Sequence, residues 1–282
     1  MNLSSFYKIY YRHRMLKANF FLKIYLFIIL PFRYLLNIPF LPRKINLDTY
    51  SQDKAVLFDK SLDYLFEYFN SDKGNFYIDQ YIQPIKKKNI RINAHGYSSI
   101  YEKYFINKKY NNLNILELGS FYGNAVASFY YYFKNSKIYS GDYFPDLFRY
   151  ESKRIKNFYI DTSSEVSIKN ILINNDTKFD IIVEDASHSL KDQIISLFML
   201  FKKITPKGIF ICEELDFPET RKDMNLNNEY PDLKQILLDI KSNKNFNSKY
   251  IDKNDKEYFL ENFKGIEIYK GKVNEVAVIE KK

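Results

Sequence analysis

Short apolar runs recur through the second half of the chain, separated by stretches with helical spacing. The first run is Ile115, Leu116 and Leu118, which stops at Glu117 and Gly119. Four more follow, Lys137–Asp142, Phe158–Asp161, Phe179–Asp185 and Gly208–Glu214, each ending in one or two acids. Near-continuous apolar runs of this length predict strands buried on both faces, as in a parallel sheet. Between them, Asn124–Lys134 reads as a helix. Ser189–Lys203 reads as another, with Leu190, Ile194, Ile195, Leu197, Phe198 and Leu200 close to a 3.6-residue period. Thr205-Pro-Lys-Gly208 is expected to be the turn that stops it. The last runs, Gly265–Tyr269 and Glu275–Ile279, alternate apolar and polar residues around Lys270–Asn274, which predicts an antiparallel pair. The fold class predicted is α/β, a doubly wound, Rossmann-like, mostly parallel sheet with a reversed last strand. Such a sheet gathers its ligands at the carboxyl ends of its strands, where these acids lie.

The turn after the first run carries the sharpest chemical signal. In Glu117-Leu-Gly-Ser-Phe-Tyr-Gly123, the two glycines permit backbone angles that a side chain would block, and they let a ligand approach the main chain. The free N–H groups of the helix that follows face the same crevice. The spacing lacks the third glycine of the dinucleotide fingerprint. Asp142, at the end of the second run, is placed to accept hydrogen bonds from both hydroxyls of a ribose.

The Glu-Leu-Gly-x-x-x-Gly pattern resembles the first motif of the class I S-adenosylmethionine (SAM)-dependent methyltransferases. Ser71-Asp-Lys-Gly74, the segment from His95 to Phe105, the Glu117–Gly123 turn and Phe179–His188 occur in an order similar to that of a bacterial group. That group contains the macrocin and mycinamicin sugar O-methyltransferases and the cephalosporin-hydroxylase-like proteins. The resemblance covers roughly residues 70 to 282 and implies SAM and magnesium as cofactors and a sugar hydroxyl as methyl acceptor. It further implies that Gly119, Ser120 and Gly123 line the cofactor with Glu117 beside them, and that Asp142 holds its ribose. Asp161, counted with the cofactor contacts, also joins Glu184 and Asp185 where the group gathers metal-binding carboxylates.

Magnesium keeps several waters in an octahedral shell, so two or three carboxylates suffice to hold it. Adjacent residues of a regular strand point to opposite faces, so Glu184 and Asp185 could meet one ion only where the chain turns. The alternative leaves Asp185 on the cofactor or as a helix cap, with Glu184 in solvent. His188 is the expected general base, acting with Asp185, because an imidazole titrates near working pH. A histidine bonded to Ser187 or a backbone carbonyl is the rival reading, and Glu213 and Glu214 are alternative bases or acceptors for sugar hydroxyls. His95, Tyr97 and Tyr101 read either as part of a lid or as packing. The polar stretch Lys222–Asp232 is where a substrate-gripping insertion would lie.

The first 47 residues differ from the rest. They hold Lys8, Arg12, Arg14, Lys17, Lys23, Arg33, Arg43 and Lys44 and no acid, eight of the chain's formal net charge of +9. These cations flank Phe20–Leu30 and Tyr34–Leu41. A spanning helix needs about 20 mainly apolar residues, but Lys23 and Arg33 interrupt this stretch, and Pro31 and Pro39 are expected to break it. A basic, apolar segment of this kind fits the interface of an anionic membrane. The alternative is packing on the catalytic domain or on a second subunit in a homo-oligomer. Nucleic acid is not an expected partner, because the remainder of the chain is nearly neutral. The organisation expected is a 1–47 extension, a 48–112 helical linker and lid region, and a 113–282 SAM-binding domain. Leu57, Phe58, Leu62, Leu65, Phe66 and Phe69 supply the helical pattern of the linker. The single cysteine, Cys212, excludes an internal disulfide framework and agrees with a reducing compartment. The expected place is therefore the cytoplasm, at the inner membrane face. The expected activity is methyl transfer to a sugar hydroxyl of a glycan or glycolipid precursor. A hydroxylase-like or nucleotide-sugar-modifying enzyme on the same fold, or a non-catalytic membrane-recruited module, are the rivals.

Overall fold

Seven strands make the central sheet: β1 (Asn114–Leu118), β2 (Lys137–Asp142), β3 (Ile155–Tyr159), β4 (Phe179–Glu184), β5 (Ile204–Cys212), β6 (Phe263–Lys270) and β7 (Glu275–Lys281). This computed structural model describes residues 19–37, 44–78, 91–174, 176–243 and 245–282. Across the sheet the order is β3-β2-β1-β4-β5-β7-β6. The strands β1 to β5 are parallel, and β7 runs antiparallel between β5 and β6. The predicted fold class is therefore the observed one. The strand order reverses between β1 and β4, and at such a switch point the connecting loops diverge to opposite faces and open a crevice.

Strict alternation sorts the core into two layers. Ile115, Ile181, Val183, Ile209, Ile211, Val276 and Val278 face one way, packed with Val126 and Phe129 of the Asn124–Tyr132 helix. Leu116, Leu118, Ile182, Phe210, Ala277 and Ile279 face the other, under the helices Leu190–Leu200 and Leu233–Asn243. Helices thus cover both faces, which is why the strands read as unbroken apolar runs. Ser189 caps the Leu190–Leu200 helix, its hydroxyl accepting the Asp192 N–H.

Two local expectations are corrected. Thr205–Gly208 is not a turn but part of β5; Lys207 has φ +62° there, and the register with β4 slips between Phe179 and Ile181, the mark of a bulge. A 3-10 turn at Phe201–Lys203 ends the preceding helix instead. Strand β3 starts and ends earlier than its apolar run suggested, which leaves Asp161 in the loop beyond it. Within 48–112, whose residues 79–90 lie outside the described residues, Leu57, Leu62, Leu65, Phe66, Tyr97 and Tyr101 share one core with β1 and the Asn124–Tyr132 helix.

The helix Phe20–Asn37 continues through Pro31, where a break was expected. A proline removes one bond of the helical ladder but does not by itself end the helix when both flanks remain helical. Residues 1–18 and 38–43, with most of the extension's cations and Pro39, lie outside the described residues. No described helix is long and apolar enough to cross a membrane.

Phe129 is fully buried and touches the rings of Phe66, Phe105 and Phe133. We expect Phe129→Ala to lower unfolding free energy by about 3–5 kcal/mol. Urea denaturation would show this as a drop in the midpoint with little change in slope.

Candidate active site

Past the end of β1 the chain makes a turn that only glycine allows. Gly119 has φ +82°, and a Cβ there would lie 1.8 Å from the Asp185 carbonyl oxygen. The two loops of the switch point therefore touch backbone to backbone. Gly123, at φ +81°, opens the Asn124–Tyr132 helix, and its Cβ would meet the Phe148 ring at 2.3 Å. Between them Ser120 donates its hydroxyl to the Glu117 carbonyl. Asp142 ends β2 and holds two loops at once, accepting the Phe121 N–H at 2.7 Å and the Phe144 N–H at 2.6 Å. Burial pushes its carboxyl up despite these bonds. Each carboxylate oxygen keeps a second lone pair for a ligand hydroxyl.

Gly119, Phe121, Asp142 and Phe144 border a cavity of about 900 Å³, also lined by Asp161, Asp185, His188 and Glu214, whereas Ser120 lines a small neighbouring pocket and Gly123 is not in the cavity lining. Behind the cavity lies a buried charge cluster centred on Lys73. The Ser71–Gly74 loop is stitched to the segment before Tyr101 by bonds such as His95 N–H to Asp72 O (2.8 Å) and Tyr97 N–H to Lys73 O (2.9 Å). The Lys73 ammonium donates to Asp185 and to Glu213 (2.8 Å) and lies 3.5 Å from Glu117. Tyr101 donates its hydroxyl to the other oxygen of Glu213. Burial alone would depress Lys73, but the charges of Asp185, Glu213 and Glu117 outweigh it and hold the ammonium well above its ordinary value. Burial pushes Glu117 up to about 7 and Glu213 up to about 8, with Lys73 pulling the other way in both. It also raises Glu214 well above the usual range, helped by the nearby charges of Asp185 and Glu213.

Glu214 and His188 both have left-handed backbone angles, φ +48° and +56°. Such angles are uncommon outside glycine and cluster where a side chain must be aimed. Here His188 sits 3.6 Å from Asp185 and 3.5 Å from Glu214, with its ring edge against Phe217. Burial lowers the His188 pKa, and the cations Lys73 and His95 lower it further against the pull of Asp185. The imidazole is thus neutral near pH 7. His95 is the opposite case: burial would lower it, but its bond to Asp72 and that residue's charge raise it. It contacts Glu214 at 3.2 Å and is bonded to Asn274, from the turn between β6 and β7, at 2.9 Å.

Asp185, His188 and Glu214 offer ligand atoms within 4.8 Å of one another, enough to surround a metal ion. Glu214 Oε2 and His188 Nδ1 are buried without a hydrogen-bond partner among the described residues. The expected trio of Asp161, Glu184 and Asp185 does not meet. Glu184 lies in β4 and is fully buried, accepting the Cys212 thiol at 3.4 Å, whereas Asp185 follows the strand end and enters the cavity. Alternation along the strand separates the two side chains. Asp161 borders the cavity but spends one oxygen on the Ser163 hydroxyl and N–H. Glu214, read from the sequence as an alternative base, takes the third place. Lys73 was given no role by sequence reasoning, and its only signal was the Ser71-Asp-Lys-Gly74 motif.

No protein-family model matches the chain. Over 128 residues, 43% of the chain, it is 23% identical to 8-demethyl-8-alpha-L-rhamnosyl tetracenomycin-C 2'-O-methyltransferase of Streptomyces olivaceus. Among solved structures it is similar to MycE methyltransferase from the mycinamycin biosynthetic pathway, in complex with Mg, SAH and mycinamycin VI. That likeness has a TM-score of 0.56 at 18% identity and covers 79% of this chain and 54% of MycE. A crystal form of MycE with Mg and SAH gives 0.55 at the same identity. The chain spans about a third of the length of the Streptomyces relative and about half of MycE. The fold is therefore that of the class I SAM-dependent methyltransferases.

Lys73→Met would leave buried carboxylates without their counter-ion, and we expect it to cost about 3–5 kcal/mol of stability, measured by urea denaturation. A pH effect follows from Glu184, which burial raises from 4.5 to about 7. A carboxyl raised on folding favours the folded state most below its unfolded pKa, and that advantage is lost as pH climbs through the folded value. Stability of the metal-free protein should therefore fall between about pH 4.5 and 7 by on the order of 3 kcal/mol from this group. Glu184→Gln should flatten the profile in that window. An unchanged profile in the variant would show that Glu184 is not the group responsible.

Proposed function

We propose that the chain is a SAM-dependent O-methyltransferase acting on a sugar hydroxyl, with magnesium assisting. The observation that carries this reading is the switch-point cavity, where a glycine cradle and Asp142 stand on one side and His188, Asp185 and Glu214 on the other. Support comes from two proteins that resemble the chain, one whose name gives a rhamnosyl 2'-O-methyltransferase and one in complex with Mg, SAH and mycinamycin VI. The finer substrate we infer is a glycan or glycolipid precursor, because the cationic, apolar extension favours a lipid-linked acceptor over a free one.

SAM, when bound, supplies a methyl group already activated on a sulfonium. Gly119 and Gly123 let the loop after β1 fold closely against Asp185 and Phe148, Gly119 borders the cavity that would take the cofactor, and Asp142 offers lone pairs to its ribose. The residues also fit a divalent ion: buried carboxylates outnumber the buried cations, and Asp185 and Glu214 give oxygen ligands with one Glu214 oxygen unpartnered. Such an ion would lower the pKa of an acceptor hydroxyl and fix its direction. His188 takes the hydroxyl proton. Its Nδ1 lies 3.5 Å from Glu214 and its Nε2 3.6 Å from Asp185, and whichever nitrogen is unprotonated accepts that proton. Lys73 holds Asp185 and Glu213 in place, and it neutralises charge that would otherwise raise the cost of ionising the acceptor. In-line placement of acceptor and methyl supplies the rest of the rate.

Calorimetric titration of the full chain with SAM and with SAH, with and without magnesium, tests this. We expect micromolar binding of both, weakened roughly 10–100-fold in Asp142→Ala. With an acceptor sugar, His188→Ala should lower kcat by about 10²–10⁴-fold while SAM affinity stays unchanged. A folded protein that binds neither ligand would overturn the reading and favour a different enzyme on the same fold.

A further inference from the structure

We propose that the helix Phe20–Asn37 docks the protein onto an anionic lipid bilayer, lying in its interface and not crossing it. Elsewhere in the described structure large apolar side chains are mostly buried or exposed singly, but along this helix they are exposed in succession. Phe21 is 80% exposed, and Phe27, Ile28, Phe32 and Leu35 are each more than 60% exposed, while Leu26 is buried. At 3.6 residues per turn, the arc from Phe27 through Ile24, Leu35, Ile28 and Phe21 to Phe32 spans about 140°, roughly two-fifths of the helix circumference. Leu26 lies opposite this arc, and Lys23 stands about 40° beyond its Phe27 edge. A stripe of this width, left in water, is the kind of apolar patch that marks a partner or membrane surface. In helices that lie in the membrane interface the polar face carries cations.

Charge decides which partner covers it. The segment up to residue 47 holds eight cations and no acid, while the rest of the chain is nearly neutral. A second copy of the helix would bring two such segments together and their charges would repel. A bilayer with anionic headgroups instead neutralises each cation as the apolar arc is buried, and the two effects add. As described, this helix is not long and apolar enough to cross a membrane. The inference rests on helix exposure and on sequence charge, and it stands apart from the methyltransferase reading.

The test is flotation of the full chain with phosphatidylcholine vesicles, with and without phosphatidylglycerol. We expect binding to the anionic vesicles at least about tenfold tighter than to neutral ones, and weaker at about 0.5 M salt. The triple variant Phe21→Glu, Phe27→Glu, Phe32→Glu should lose vesicle binding with an unchanged thermal midpoint. A second variant, Lys17→Gln with Lys23→Gln, should shift only the anionic preference. The proposal fails if the intact chain ignores anionic vesicles or binds both kinds equally. It fails also if the chain forms a concentration-dependent dimer that the triple variant abolishes and that leaves vesicles unbound. Titration with SAM on the same samples keeps the two readings apart. A chain that floats with anionic vesicles yet ignores SAM would leave docking intact and sink the methyltransferase reading.

Discussion

One buried ammonium ties the site together. Lys73 comes from a loop that precedes the sheet in the chain, yet its Nζ reaches carboxylates at the ends of β1, β4 and β5. Burying one charge is costly unless it is paired, and burying several carboxylates side by side is costlier still. Lys73 offsets part of both costs, and Tyr101 contributes a further donor on Glu213. The loop around Lys73 is in turn fixed by main-chain bonds to the segment that contains His95 and Tyr97. The remaining negative charge is not neutralised by these groups. It leaves a cavity wall suited to a divalent cation. Burial, together with this charge, keeps Glu213 and Glu214 high, whereas burial and the cations Lys73 and His95 keep His188 low.

The carboxyl edge of the sheet also gathers most of the unusual backbone. Gly119, Gly123, Phe121, His188 and Glu214 all have positive φ, and all five stand in the loops that follow β1, β4 or β5. The interior, by contrast, is regular: two apolar layers on a twofold alternation, with helices over each. A rigid, well-packed sheet can hold such conformations because its many buried contacts outweigh a few local costs. This division explains how a chain with little identity to MycE retains the same fold. Packing asks only for apolar residues at the right period, whereas the loops carry the specific chemistry.

The Phe20–Asn37 helix follows a different rule from the sheet. Its apolar residues are not matched by an apolar face of the described structure, and its charges are of one sign.

Much of the fold was legible in the sequence, for a physical reason: strand burial, helix period and the need for glycine in tight turns are local properties that leave local patterns. The order of apolar runs, the reversed last strand and the roles of Gly119 and Gly123 as turn residues could all be read directly. The local pattern misled where a single residue was asked to decide, as at Pro31 and at Thr205–Gly208, because a helix or strand with sound flanks absorbs one poor position. What only the tertiary structure decided is which charges meet. Glu184 and Asp185 are neighbours in the chain but face opposite ways, while Lys73, Asp185, His188 and Glu214 converge from distant segments. Electrostatic contacts of this kind depend on distances across the sheet, and a linear sequence does not encode those distances in any local period.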